Sequence, residues 1–140
     1  MEGSTLKADK IIIHCADTKP SMDIGFHEID TWHKAKGWDG CGYHFIVRRD
    51  GEIETGRRLG VEGAHARGYN HNPGICLVGG MSEAGQPEAN FTLDQYESLS
   101  MLIISIDKDL GGGLQVMGHR DLPGVTKACP CFDAYQLVSG

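Results

Sequence analysis

Short apolar runs alternate with polar, glycine-rich stretches along the chain, and the runs predict its secondary structure. Three consecutive isoleucines precede His14, and further apolar runs occupy residues 75–80 and 114–117. Short continuous runs of this kind are typical of strands buried on both faces. His14 and His119 then lie at strand ends, where a rigid element aims a side chain that the adjoining loop leaves accessible.

Two segments show the three-and-four spacing of amphipathic helices. The first ends at Gly37 and has a face formed by Phe26, Ile29, Trp32 and His33. Its histidines, His27 and His33, are predicted to be surface or boundary residues rather than metal ligands. The second begins at a capping box of Thr92 and Gln95. Its apolar face is predicted to contain Leu93, Tyr96, Leu99, Ile103 and Ile106.

A β-hairpin is predicted between residues 42 and 58, because Asp50-Gly51 is a strong turn signal between two extended runs. Strand alternation assigns three residues to one face, namely Tyr43, Phe45 and Val47. The opposite face then carries His44, Ile46 and Arg48. Only one of Tyr43 and His44 is therefore expected to face a functional site.

These elements predict an α/β fold in which a mixed central sheet of about five strands is flanked by two main helices. One domain is expected over residues 1–140, with a flexible N-terminus at residues 1–9 and a terminal helical turn at 132–138. The 140 residues include 40% apolar and 23% charged residues, which is typical of a globular protein with one hydrophobic core.

Charge and cysteine content narrow the function classes. The net charge of −6 disfavours nucleic-acid binding. No stretch resembles a secretory signal or a membrane span, so we expect a protein that accumulates in a cytoplasm without inserting into a membrane. The five cysteines are an odd number, scattered along the chain, which favours reduced thiols over a disulfide framework.

Two strand-end histidines and a late cysteine, His14, His119 and Cys129, form a ligand set suited to catalytic zinc. Such a site has three protein ligands and keeps a fourth position for water. The three residues are far apart and match no compact zinc motif. The alternative is that the histidines are partly buried and hydrogen-bonded, and that the cysteine belongs to the core.

The order of several segments resembles a known family. They are IIIHCADTKPS, FHEIDTWHKAKGWDGCGYHFIVRRDG, GAHARGYNHN, CLVGG, ANFT and KACPCFD, and together they span roughly residues 10–135. The chain is similar to phage members of the type-2 N-acetylmuramoyl-L-alanine amidases, which are related to the peptidoglycan recognition proteins. The resemblance implies a phage endolysin that cleaves the amide between N-acetylmuramic acid and L-alanine of peptidoglycan.

The resemblance also implies roles for individual residues. His14, His119 and Cys129 would bind one Zn²⁺ per chain, and Tyr43 and Lys127 would be the catalytic partners. The groove residues implied are His65, Arg67, Asn70 and His71, although each can equally be a loop residue that only satisfies the backbone. His44, next to Tyr43, is grouped with them as a residue that would orient a ligand or the water through its ring nitrogen. Cys131 departs from the phage pattern, which has serine there, and it is either a second thiol near the metal or a replacement without a role.

Two other functions remain open. Some relatives bind peptidoglycan without cleaving it, although the retention of Cys129, Tyr43 and Lys127 favours an enzyme. A phage relative also binds its own RNA polymerase, so a regulator of such a polymerase is the second alternative. We expect a monomer that reaches the cell wall only after the inner membrane of the host is breached.

Overall fold

A computed structural model describes residues 7–134 of the chain. The predicted flexible segment at 1–9 and the predicted helical turn at 132–138 fall largely outside this range. The elements in chain order are β1 (Lys10–Cys15), α1 (Phe26–Ala35), β2 (Phe45–Val47), β3 (Ile53–Thr55), β4 (Gly74–Leu77), α2 (Leu93–Asp109), β5 (Gln115–Gly118) and a 3-10 turn (His119–Asp121).

The five strands form one sheet in the order β3-β2-β4-β1-β5. β1 pairs in parallel with β4 and β5, and β4 pairs in parallel with β2. β3 runs antiparallel to β2, across the hairpin predicted at Asp50-Gly51. The predicted mixed sheet of about five strands with two main helices is therefore confirmed. β1 has a partner on each edge, as expected for a strand with three consecutive isoleucines.

The side chains of β1 alternate between the two faces of the sheet. Ile11 and Ile13 pack in the cluster that contains α2. Ile12 packs with Leu122 on the opposite face, and all three isoleucines are fully buried. Each contributes about 1.5–3 kcal/mol through burial. A one-residue slip would bring a polar neighbour, Lys10 or His14, into one of these buried positions and is therefore disfavoured. This register places His14 on the face opposite α2.

Helix α2 begins at the predicted capping box, in which Thr92 Oγ1 accepts from Gln95 N at 3.1 Å and Gln95 Oε1 accepts from Thr92 N at 3.0 Å. The prediction that Leu93 belongs to the apolar face is wrong, because its side chain is 72% exposed. Gln95 is buried instead, and its amide donates to the carbonyls of Val47 and Val78. A polar side chain thus ties the helix start to β2 and to the end of β4.

Helix α1 covers the face of the sheet that carries His14. Ile29 packs there with Ile46, and Gly37, at a φ of +91°, follows the helix end as predicted. Trp32 was predicted on the inner face, but it is 41% exposed. His33 is the buried histidine of this helix, whereas His27 is exposed.

Tyr43 does not share a face with Phe45 and Val47, so this part of the sequence prediction is wrong. β2 begins only at Phe45, and the backbone bends at His44, so strand alternation does not extend back to Tyr43. Tyr43 packs instead with Ile46, on the face that carries the metal-ligand candidate of β1. Among residues 7–134, no helix combines the length and apolar character that crossing a membrane requires.

Candidate metal centre

Three potential metal ligands converge from distant parts of the chain. His14 lies near the end of β1, His119 directly follows β5, and Cys129 lies in the loop beyond. One nitrogen of each imidazole and the cysteine sulfur lie within 4.8 Å of one another. Arg120 N donates to the carbonyl of Cys129 at 2.8 Å, which ties the loop to the end of β5. The fold therefore assembles the predicted ligand set.

The chemistry of these three residues fits zinc. Imidazole nitrogen and thiolate sulfur are the ligands that zinc prefers, and three protein ligands leave one coordination position open. His14 is buried and His119 is half-buried, so solvent has limited access to compete for their nitrogens. The backbone N–H of Cys15 donates to the sulfur of Cys129 at 3.0 Å. This donor is a suitable partner for a thiolate.

The local electrostatics keep both histidines neutral. Burial lowers the pKa of His14 well below its usual value, and His65, His119 and Lys127 lower it further. Burial and then the Lys127 ammonium lower the pKa of His119, while Asp17 opposes them. Since only neutral imidazole offers a lone pair to a metal, both rings are suited to ligation near neutral pH.

The ligand candidates line a cavity of about 130 Å³ together with Tyr43 and Lys127. The ring centroids of Tyr43 and His14 are 5.1 Å apart. Burial, followed by nearby thiols led by Cys76, raises the pKa of Tyr43 well above its usual value, so its phenol stays protonated and can donate a hydrogen bond. Lys127 is exposed at this cavity. Both predicted catalytic residues therefore adjoin the ligand cluster.

Comparison with known proteins identifies the family. The family model described as N-acetylmuramoyl-L-alanine amidase matches residues 4–132. The chain belongs to this amidase family. The predicted family and the predicted peptidoglycan amidase function are thereby confirmed.

Individual amidases support the same conclusion. The endolysin of Escherichia phage T7 is 47% identical over 126 residues, covering 89% of this chain and 82% of the relative. The endolysin of Klebsiella phage KP32 is 45% identical over 128 residues, covering 91% and 83%. The solved structure of the N-acetylmuramoyl-L-alanine amidase endolysin LysCS from Clostridium intestinale has a TM-score of 0.74 and 30% identity, covering 89% of this chain and 75% of that chain.

The amidase cavity has a wall that the sequence did not predict. His33, Lys36 and Trp38 line it from α1 and the turn that follows. The rings of His33 and Trp38 are 4.6 Å apart, and Lys36 Nζ lies 5.2 Å from the Trp38 ring centroid. The available signal was the position of His33 four residues after Ile29, which places both on the buried side of α1.

A single carboxylate, that of Asp17, lines the same cavity among the described residues. Its backbone adopts a φ of +56°, which is uncommon for a residue other than glycine. Its Oδ1 accepts from the thiol of Cys15 at 3.3 Å. The turn that follows β1 thus brings an acidic group to the rim of the cavity, and this placement depends on a backbone conformation that the sequence pattern did not indicate.

The five predicted groove residues do not lie together. His65 lines the cavity of the metal-ligand candidates, and Arg67 lines a neighbouring cavity that shares His119. Asn70 shapes the loop, since its Oδ1 accepts from the backbone nitrogens of His65 and Ala66 at 2.8 Å each.

His44 and His71 line a separate cavity, so the structure does not support their placement in the groove. Both ring nitrogens of His44 are already used: Nε2 donates to Val61 O, at 2.6 Å, and Nδ1 accepts from Gly74 N, at 3.0 Å. Nδ2 of Asn72 lies 3.4 Å from the ring of His71. The bend before β2 turns His44 away from the cavity that Tyr43 enters.

Cys131 lies outside the ligand cluster of His14, His119 and Cys129. Its thiol donates to Gly80 O at 3.4 Å and contacts Cys15. Burial, followed by the neighbouring Cys15, raises the pKa of the Cys131 thiol to about 11. Cys131 is therefore a protonated, partly buried thiol beside the site rather than part of the cluster.

Proposed function

We propose that this amidase is a zinc enzyme in which His14, His119 and Cys129 hold one Zn²⁺. The convergence of their three ligand atoms within 4.8 Å carries the proposal. Zinc bound there would supply a Lewis acid and lower the pKa of a water molecule to about 7. The reaction is hydrolysis of the amide between the lactyl carboxyl group of N-acetylmuramic acid and the amine of L-alanine.

In this proposal water adds to the amide carbonyl carbon, the C–N bond breaks, and the L-alanine nitrogen leaves as an amine after gaining a proton. Negative charge develops on the carbonyl oxygen, and preorganised donors lower the barrier most when they face that oxygen. The Lys127 ammonium and the Tyr43 phenol border the cavity and serve as these donors. Either can also pass a proton to the leaving nitrogen.

The test of the metal is its content per chain. Purified protein is expected to contain about one zinc per chain and to lose amidase activity on treatment with a strong chelator. Stoichiometric Zn²⁺ should restore the activity, whereas Mg²⁺ should not, because magnesium prefers oxygen ligands. Full activity in protein freed of transition metals would contradict zinc dependence.

A release assay separates an enzyme from a peptidoglycan-binding module. Purified cell walls are incubated with zinc-loaded protein, and new amino termini are identified. We expect L-alanine amino termini to appear without new reducing sugar ends, because the amide rather than a glycosidic bond is cut. Sedimentation with the walls and no new amino termini would leave only the binding function.

We further propose that the enzyme acts on the wall after the inner membrane has been breached. The similarity to phage endolysins supports this location. Expression in a bacterial cytoplasm should leave the culture turbid until the inner membrane is permeabilised, and lysis should then follow rapidly. Lysis of equal speed without permeabilisation would contradict the proposed route.

A further inference from the structure

A hydrogen-bonded chain connects the protein backbone to His14 through a second histidine. His14 Nε2 lies 2.9 Å from His65 Nδ1. On the other side of the His65 ring, Nε2 lies 2.8 Å from the carbonyl oxygen of Asn72. Both nitrogens of His65 are therefore engaged within the protein, although the sequence placed this residue among the substrate contacts.

The direction of these hydrogen bonds follows from their ends. A carbonyl oxygen can only accept, so His65 Nε2 carries a hydrogen. A neutral His65 then accepts at Nδ1, and His14 Nε2 must donate to it. This leaves Nδ1 of His14 as its lone-pair nitrogen. The reverse direction would require a charged His65 and a hydrogen on His14 Nδ1, which would leave His14 without a lone pair for a metal.

We propose that His65 is a positioning residue, which fixes the tautomer and the ring orientation of His14 so that Nδ1 of His14 is the metal-binding nitrogen. The inference rests on the proposed function, because it concerns how one proposed ligand is held. A partner on the second ring nitrogen of a metal-binding histidine orients the ring and increases its basicity as a ligand. Here that partner is another imidazole, which is itself bonded to a backbone carbonyl.

Asn72, whose carbonyl ends this series of hydrogen bonds, is rigidly held. Asn72 is fully buried, and its Oδ1 accepts from the backbone nitrogens of Asp9 and Lys10 at 2.9 and 3.0 Å. Its Nδ2 donates to Tyr69 O at 3.1 Å. Asn72 thus attaches the loop to the start of β1. The same loop carries His65, which is hydrogen-bonded to His14 near the end of the same strand. The strand and the loop therefore hold the imidazoles of His14 and His65 in a fixed relative position.

Two glycines make room for the His65 ring. A Cβ at Gly74 would lie 2.6 Å from Cγ and Nδ1 of His65, and a Cβ at Gly63 would lie 2.6 Å from its Cδ2. Any larger residue at either position would displace the ring. The hydrogen bond from His65 N to Asn70 Oδ1, at 2.8 Å, fixes the backbone of the same residue. The ring therefore occupies a slot built for a flat side chain.

The first experiment measures zinc affinity by competition with a chromophoric chelator. His65→Phe keeps a flat ring but removes both nitrogens, and it should weaken zinc binding by about 10–100-fold. His65→Gln, whose amide offers both a donor and an acceptor, should recover part of the loss. His27→Phe, which changes an exposed histidine of α1, should bind zinc like the wild type. Equal affinity of His65→Phe and wild type would overturn the inference.

The second experiment needs no variant. Wild-type protein with isotope-labelled histidine is loaded with a spin-half cadmium isotope, and the nitrogen of His14 that couples to the metal is identified by NMR. Coupling to Nδ1, with a slowly exchanging hydrogen on Nε2, is expected. Coupling to Nε2 would overturn the inference while leaving the metal site intact. A wild type that binds neither zinc nor cadmium would overturn the proposed function itself, so the two failures are distinguishable.

Discussion

The backbone N–H of Cys15 points at the sulfur of Cys129, and the two atoms are 3.0 Å apart. Cys15 follows His14 directly, so the strand that carries one ligand candidate also holds a second in place. Cys129 is 5% exposed, and the N–H donor gives its sulfur a polar partner in this buried position. The end of β1 therefore helps to position two of the three ligand candidates, His14 and Cys129.

This relationship predicts different effects for the two cysteines of the Cys-Pro-Cys segment. Cys129→Ser should reduce bound zinc from about one per chain to nearly none at micromolar free metal, because serine is a poor zinc ligand. Cys131→Ser should keep the metal and most of the activity. The metal content of the two variants, measured by atomic emission, tests both expectations. Loss of zinc in Cys131→Ser alone would mean that the ligand assignment is wrong.

The proposed charge-stabilising residues should affect turnover and not metal content. Lys127→Ala and Tyr43→Phe are each expected to lower kcat by about 10²–10³-fold, the usual effect of removing one donor to a developing oxyanion. Zinc content should stay near that of the wild type. Arg120→Ala is a suitable control, because Arg120 is an exposed cation of the same region. Loss of zinc in parallel with activity would assign Lys127 or Tyr43 a structural role.

Much of the fold was predictable because its signals are local. The isoleucine run, the Asp50-Gly51 turn and the Thr92 capping box each determine structure within a few residues, and all three predictions are confirmed. The location of His14 near a strand end followed from the same reasoning. The order of the strands was not predicted, because parallel pairing joins segments that are far apart in the sequence.

The site was only partly predictable, and the predictions that were wrong or absent have physical causes. The bend at His44 interrupts strand alternation, so the face of Tyr43 was assigned wrongly. The engagement of His65 depends on a contact with His14 across 51 residues and on the slot beside Gly74. Local pattern determines which residues are available, whereas tertiary packing determines which nitrogen or face each one presents.

Replacing Gln95, which lies far from the cavity, should lower the stability of the fold. The buried amide of Gln95 donates to Val47 O at 3.1 Å and to Val78 O at 2.8 Å. Gln95→Leu would remove both hydrogen bonds, while Val47 O keeps the N–H of Val78 as a donor. Val78 O keeps a contact with Arg49 Nη1 at 3.3 Å. Because two hydrogen bonds are lost but neither carbonyl is left unpaired, we expect the free energy of unfolding to fall by about 2 kcal/mol. Glu97→Leu, at an exposed position of the same helix, should change it by less than about 0.5 kcal/mol. Urea denaturation measures both, and equal values would mean that the amide contacts contribute little.

The metal-free protein should lose stability as the pH falls from about 6.5 to 4. Burial is the main cause that lowers the pKa of His65 from 6.5 to about 4, while the hydrogen bond to Asn72 opposes it and His44, His119 and Arg57 add to it. Between about pH 6.5 and pH 4, His65 therefore binds a proton in the unfolded chain but stays largely neutral in the folded chain. The contribution of His65 to the free energy of unfolding is therefore complete above about pH 6.5 and decreases on acidification.

The expected loss from His65 is about 3 kcal/mol in the free energy of unfolding across this window. Urea denaturation of chelator-treated protein at pH 7 and pH 4 gives the total change, and His65→Gln should show a smaller change by about that amount. His27→Gln, an exposed histidine replaced in the same way, should behave like the wild type. If His65→Gln keeps the full pH dependence, the acid sensitivity arises from other groups and His65 is not held neutral by the fold.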